Sequence, residues 1–170
     1  MPAKTMHDLL IENLRDIYHA EKQTVRALPK IAKAVTSDTL RQAIDEHVEQ
    51  TRGQIDRLEQ IFDLLDTRTR GKRCEAMEGL LDETREILEL GLQAEVLDAA
   101  LIGAAQKIEH YEIASYGTLH AYAQVCGLNK VADLLDQTLQ EERLADERLN
   151  RIAIEEVNQK AVSASGQKAA

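Results

Sequence analysis

Residues 108–146 place acidic side chains where a helical hairpin would bury them, and few folds tolerate that. The segment breaks at Gly127, and each side is long enough for a helix of many turns. On the first arm Ile102, Ala105, Glu109, Glu112, Tyr116 and Leu119 recur at helical spacing; on the second, Leu135, Thr138 or Leu139, Glu142, Asp146 and Leu149 do. Folding about Gly127 sets Glu112 opposite Glu142, each 15 residues from the turn, and Glu109 at nearly the same height as Asp146. Carboxylates enter a core only when paired, protonated or coordinated. Four at one level are therefore the feature around which the rest of the chain must be arranged.

The remainder of the sequence supplies two more long helices and a crossover. A first helix over residues 4–34 carries Leu10, Leu14, Ile17, Glu21, Val25 and Leu28 on one stripe, with Pro29 near its end. Thr36, Ser37 and Asp38 form a turn and an N-cap. A second helix over 38–65 has the seam Leu40, Ile44, His47, Thr51, Gln54, Leu58, Ile61 and Leu65, apolar at both ends and polar in the middle. After a basic loop, Asp66 to Arg73, a shorter helix over 75–91 presents Met77, Leu80, Leu81, Ile87 and Leu88 and ends at Gly91. Long helices over 94–126 and 129–157 follow, with Asn129 as the expected cap of the last. Residues 158–170 have no stripe and are expected to be a disordered tail, which leaves one domain over 1–157. Two antiparallel pairs joined by a long crossover predict an all-α, ferritin-like four-helix bundle with a short fifth helix between helices two and three.

Composition excludes several alternatives. Aromatics are 3% of the chain and Trp is absent, so the core is aliphatic. A net charge of −9 argues against a nucleic-acid or anionic-membrane partner, and no apolar run approaches a membrane span. Cys74 and Cys126 have neither disulfide-framework nor zinc spacing and read as free thiols of a cytoplasmic protein. No secretory leader is visible at the start of the chain.

Each long helix thus carries polar groups in its seam at mid-length: Glu21; His47 with Gln50 and Gln54; Glu109 with Glu112; Glu142 with Asp146. Taken singly, Glu21 is an edge residue, His47 a hydrogen-bonded core histidine, and Glu109 with Glu112 a solvated face. Taken together, five carboxylates in one core repel unless protonated or neutralised. Two divalent ions would nearly balance them, and carboxylates with one imidazole suit iron or manganese. The expected metal ligands are Glu21, His47, Glu109, Glu112, Glu142 and Asp146, with Gln50 and Gln54 as supporting or weak ligands and two ions per chain. Glu112 and either Glu21 or Glu142 would bridge. Glu46, Glu49 and Glu141 read as solvated, with Glu141 the substitute ligand if the last helix is rotated. Tyr18, Tyr111, Tyr116 and Tyr122 read as core packing, a redox role being the lesser alternative.

Five stretches carry a resemblance over nearly the whole chain except the tail: DIYHAEKQ at 16–23, GQIDRLEQ at 53–60, CEAMEGL at 74–80, EHYEIASYGTL at 109–119 and TLQEERLAD at 138–146. With these the chain resembles the YciF-like branch of ferritin-like bacterial stress proteins. The resemblance implies a ferritin-like bundle, commonly dimeric, a two-metal centre and a link to stress responses. Where that family usually has His-x-x-Glu-Thr on the second helix, this chain has Gln50 between His47 and Thr51. The leading expectation is an iron or manganese protein reacting with oxygen or peroxide, its electrons coming from Fe(II) or an external donor because no donor motif is present. The alternative is a structural or partner-binding stress protein with a weakened or vestigial site. Iron storage in a cage ranks below both, and a homodimer is the expected assembly.

Overall fold

The computed structural model describes residues 4–164 and 166 of the chain, and every described element is helical. Helix α1 is Met6–Ala34, α2 Asp38–Leu64, α3 Glu75–Glu89, α4 Ala94–Val125 and α5 Asn129–Ile152. A π-helical turn, Ala153–Val157, joins α5 to a short α6, Asn158–Ala164. The tail expected to be disordered is thus helical over its first seven residues. The rest of that expectation, at 165 and 167–170, lies outside the described residues.

Local chemistry sets the helix ends. Thr5 and Asp8 form a reciprocal capping box at the start of α1. The Ser37 hydroxyl caps α2, and Cys74 Sγ accepts from Met77 N at the start of α3. Gly91 and Gly127 adopt positive φ, 66° and 71°, where α3 and α4 stop. Asn129 is not a cap: Leu128 occupies that position without a side-chain hydrogen bond, and Asn129 is the first helical residue. Pro29 lies inside α1, which continues to Ala34. It removes the backbone hydrogen bond that a residue at this position would donate to Val25 O, and the helix runs through that loss.

The four long helices form a bundle in which α1 packs on α2, α4 on α5, α1 on α4 and α2 on α5. Helix α3 covers the α1 and α4 side. Buried Asp98 ties the α1–α2 turn to α4, because its carboxylate accepts from Thr36 N, Thr36 Oγ1 and Ser37 N at 2.7–2.8 Å. The apolar interior divides into two clusters. One gathers Leu10, Leu14, Phe62, Met77, Leu119 and Leu135; the other gathers Leu28, Ile31, Leu40, Ile44, Ile102 and Leu149. Between them, at the mid-length of every long helix, lies a belt of buried polar side chains. No helix among the described residues is long and apolar enough to cross a membrane.

Candidate metal centre

Glu21, Glu109, Glu112 and Glu142 are at most 1% exposed, and His47 is 5% exposed. One ligand atom from each of His47, Glu109, Glu112 and Glu142 lies within 4.8 Å of the others, close enough for a shared ion. His47 Nε2 stands 3.3 Å from Glu109 Oε1 and 3.8 Å from Glu142 Oε2. Glu21 approaches from α1: it accepts a hydrogen bond from the buried Tyr116 hydroxyl, and its charge is felt at Glu109, Glu112 and Glu142.

Seven buried side-chain nitrogen or oxygen atoms lack a hydrogen-bond partner among the described residues, and six belong to this belt. They are Glu21 Oε2, His47 Nε2, Gln54 Oε1, Glu109 Oε2, Glu112 Oε2 and Glu142 Oε2. Leaving such groups unpaired costs about 1–3 kcal/mol each, more when charged. These six oxygen and nitrogen atoms form a set of ligands that a hard or borderline divalent cation would satisfy together.

Electrostatics point the same way. Burial pushes Glu21 and Glu109 up from the ordinary 4.5 to about 8, and in Glu109 the neighbouring charges of Glu112 and Glu21 add to the rise. Glu112 and Glu142 are held well above the ordinary range, first by burial and then by carboxylates on facing helices. Burial also lowers the pKa of His47 and keeps its imidazole neutral, the form that ligates metals.

Surrounding groups hold these side chains in place. Gln50 Oε1 lies 3.2 Å from His47 Nδ1; the Nδ1–H donates there, leaving the Nε2 lone pair aimed at the carboxylates. Gln50 is exposed at the outer edge of the imidazole, and its amide meets the His47 ring there. Gln54, fully buried, donates through Nε2 to Glu142. Thr24 Oγ1 donates to Glu112 Oε1 at 3.1 Å.

Three expectations need correction. Asp146 does not join the cluster: it is partly exposed, accepts from Gln106 Nε2 at 3.1 Å and lies 3.3 Å from His110 Nδ1. Four residues beyond Glu142, it has rotated about 40° off the seam toward the α4 surface. Glu141 is not simply solvated, because Arg57 grips both its oxygens at 2.8 and 3.1 Å while Gln54 donates to it at 3.2 Å. Tyr116 is more than packing, since its hydroxyl serves Glu21 directly. Glu46 and Glu49 are exposed and pair with Arg148 and Arg52, as expected of solvated groups. Arg57 and Thr24 went unmarked in the sequence; their roles depend on cross-helix partners that no single stripe reveals.

The family described as Domain of unknown function (DUF892) matches residues 5–162. The chain is 48% identical to protein YciF of Escherichia coli K12 over 162 residues, 95% of this chain and 98% of that protein. The crystal structure of that E. coli stress protein superposes with a TM-score of 0.88 over 92% of this chain and 99% of the other. YcfI from Rhodopseudomonas palustris, provisionally described as a structural protein, is 43% identical and superposes with a TM-score of 0.86 over 88% of this chain and 95% of its own.

Proposed function

The chain belongs to the DUF892 family, and we propose that it is a stress-associated, ferritin-like protein holding two iron or manganese ions in its central belt. The observation that carries this reading is the convergence of six partnerless buried donor atoms from all four long helices. With Asp146 outside, four buried carboxylates remain, and two divalent ions would neutralise them. His47 would ligate through Nε2, and Glu109, Glu112, Glu142 and Glu21 through their free oxygens, with Gln54 Oε1 in reserve. The connection through α3 between the two hairpins supports the ferritin-like arrangement.

A bound pair of redox-active ions would supply electrons to oxygen or peroxide, limiting oxidative damage. The protein's own part is to keep bulk water out of the belt and hold His47 neutral. Tyr116 keeps a proton on the Glu21 side of the site. Electrons come from Fe(II) or from an external donor. The test is oxidation of Fe(II) by air or peroxide, followed optically after anaerobic loading. The expected result is a rate at least tenfold above that of free Fe(II), lost in Glu109→Ala and in Glu142→Ala; unchanged rates in both variants would rule the reading out.

A second reading is a structural stress protein whose site is vestigial. The description given to the R. palustris relative favours it, as does α2, which brings no carboxylate to the cluster. It predicts a fully folded protein that takes up neither metal.

A further inference from the structure

A cavity of about 140 Å³ enters the bundle between α2 and α5 and is lined by no residue of α3. His47 and Glu109 form its inner end, while Glu112 and Glu142 do not border it. The cavity therefore meets the cluster from one side only. Seven of its eleven lining residues are aliphatic, among them buried Leu28, Ile44, Ala105 and Leu149. Exposed Leu144 and the half-exposed Arg148 mark the mouth, and the Arg148 guanidinium is already engaged by Glu46 across the α5–α2 gap.

This lining is poorly suited to a hydrated ion. Between the mouth and Glu109 it offers no carboxylate, and charge is costly to desolvate along aliphatic walls. It suits an apolar occupant, with aliphatic walls between the polar Gln50 and Arg148 at the outer side and His47 and Glu109 at the inner end. Its size is close to the ~150 Å³ apolar cavity known to hold benzene. We infer that this cavity binds a small uncharged apolar organic molecule of about benzene size and presents it to the His47 and Glu109 side of the metal site. The second half of that inference rests on the metal reading above.

Benzene is the probe, followed by NMR on methyl-labelled protein, first metal-free and then loaded with Mn(II). The expected result is saturable shifts at the methyls of Leu28, Ile44 and Leu149. Ala145→Leu, which fills the wall, should weaken benzene binding by roughly tenfold or more while leaving Mn(II) uptake intact. If that variant does not fold, the wild-type methyl map decides. With Mn(II) bound, benzene protons should broaden in a way they do not in metal-free protein. Mn(II) uptake without saturable shifts, or shifts elsewhere, overturns the cavity site and leaves the metal reading standing. Benzene binding without broadening in Mn(II)-loaded protein overturns the link between cavity and metal. Benzene binding in protein that takes up no Mn(II) overturns the metal reading instead.

Discussion

The two hairpins furnish the central belt very differently. The α4–α5 hairpin contributes three buried carboxylates, Glu109, Glu112 and Glu142. The α1–α2 hairpin contributes one, Glu21, together with His47, Gln54, Thr24 and Thr51. One hairpin therefore carries most of the charge, and the other most of the neutral groups that orient it: Thr24 on Glu112, Gln54 on Glu142, Gln50 on His47. The difference teaches that the desolvation cost of the belt is concentrated on one hairpin. Its three carboxylates must be protonated or met by cations, whereas in the other half only Glu21 carries that demand and the remaining groups need only hydrogen bonds. Arg57 is held by Glu141, and its charge favours the ionised form of Glu21 on the α1–α2 hairpin.

The largest effect should come from removing charge on the α4–α5 side. Glu112→Leu should abolish metal uptake yet raise the stability of the metal-free protein by ~1–4 kcal/mol, since a buried carboxylate without a cation costs more than an apolar side chain of similar size. Thermal melting in chelator checks this; a lower melting temperature for the variant would show that Glu112 is already well satisfied by Thr24.

Next comes pH. Glu21 and Glu109 have folded pKa values near 8 against an ordinary 4.5, so the folded, metal-free chain keeps protons that the unfolded chain has released. Their contribution is fully present below about pH 4.5, declines as pH rises and is gone above about pH 8. Glu112 and Glu142 act in the same direction. His47, lowered by burial, acts oppositely, but one imidazole faces four carboxylates. Exposed carboxylates held low by ion pairs, such as Glu46 and Glu78, change stability only below about pH 4.5. Metal-free protein should therefore melt lower at about pH 8 than at about pH 5, and saturating Mn(II) should reverse that order. A flat metal-free profile would mean that the four carboxylates are not desolvated as a group.

The smallest effect belongs to the neutral half. Gln50→Ala frees the His47 ring and should weaken metal affinity by ~10-fold, whereas Gln50→Glu, which keeps an acceptor for Nδ1–H, should hold or improve it. Metal titration of both variants checks this. Equal weakening by the two would mean that the amide does something other than orient the imidazole.

These contrasts also mark what the sequence discloses. An acidic residue on an apolar stripe announces itself, so Glu21, Glu109, Glu112 and Glu142 are legible, and so is the crossover that sets two hairpins side by side. Height alone does not fix direction. Asp146 sits at nearly the height of Glu109 but one helical turn beyond Glu142 has carried it to Gln106 and His110. Gln50 lies one turn beyond His47 and likewise ends at the outer edge. Tyr116 with Glu21 and Arg57 with Glu141 are pairings between helices, decided by rotations that no single stripe reports. The helical start of the tail, Asn158–Ala164, lacks a stripe and was illegible for that reason.

The central claim, that the belt exists to hold metal, is tested most directly by elemental analysis of protein purified without chelator or affinity metal and again after anaerobic exposure to Fe(II) or Mn(II). The expected content is two ions per chain in the wild type, falling to one or none in Glu142→Ala. A well-folded wild-type protein that carries no metal, and regains none on reconstitution, would contradict it.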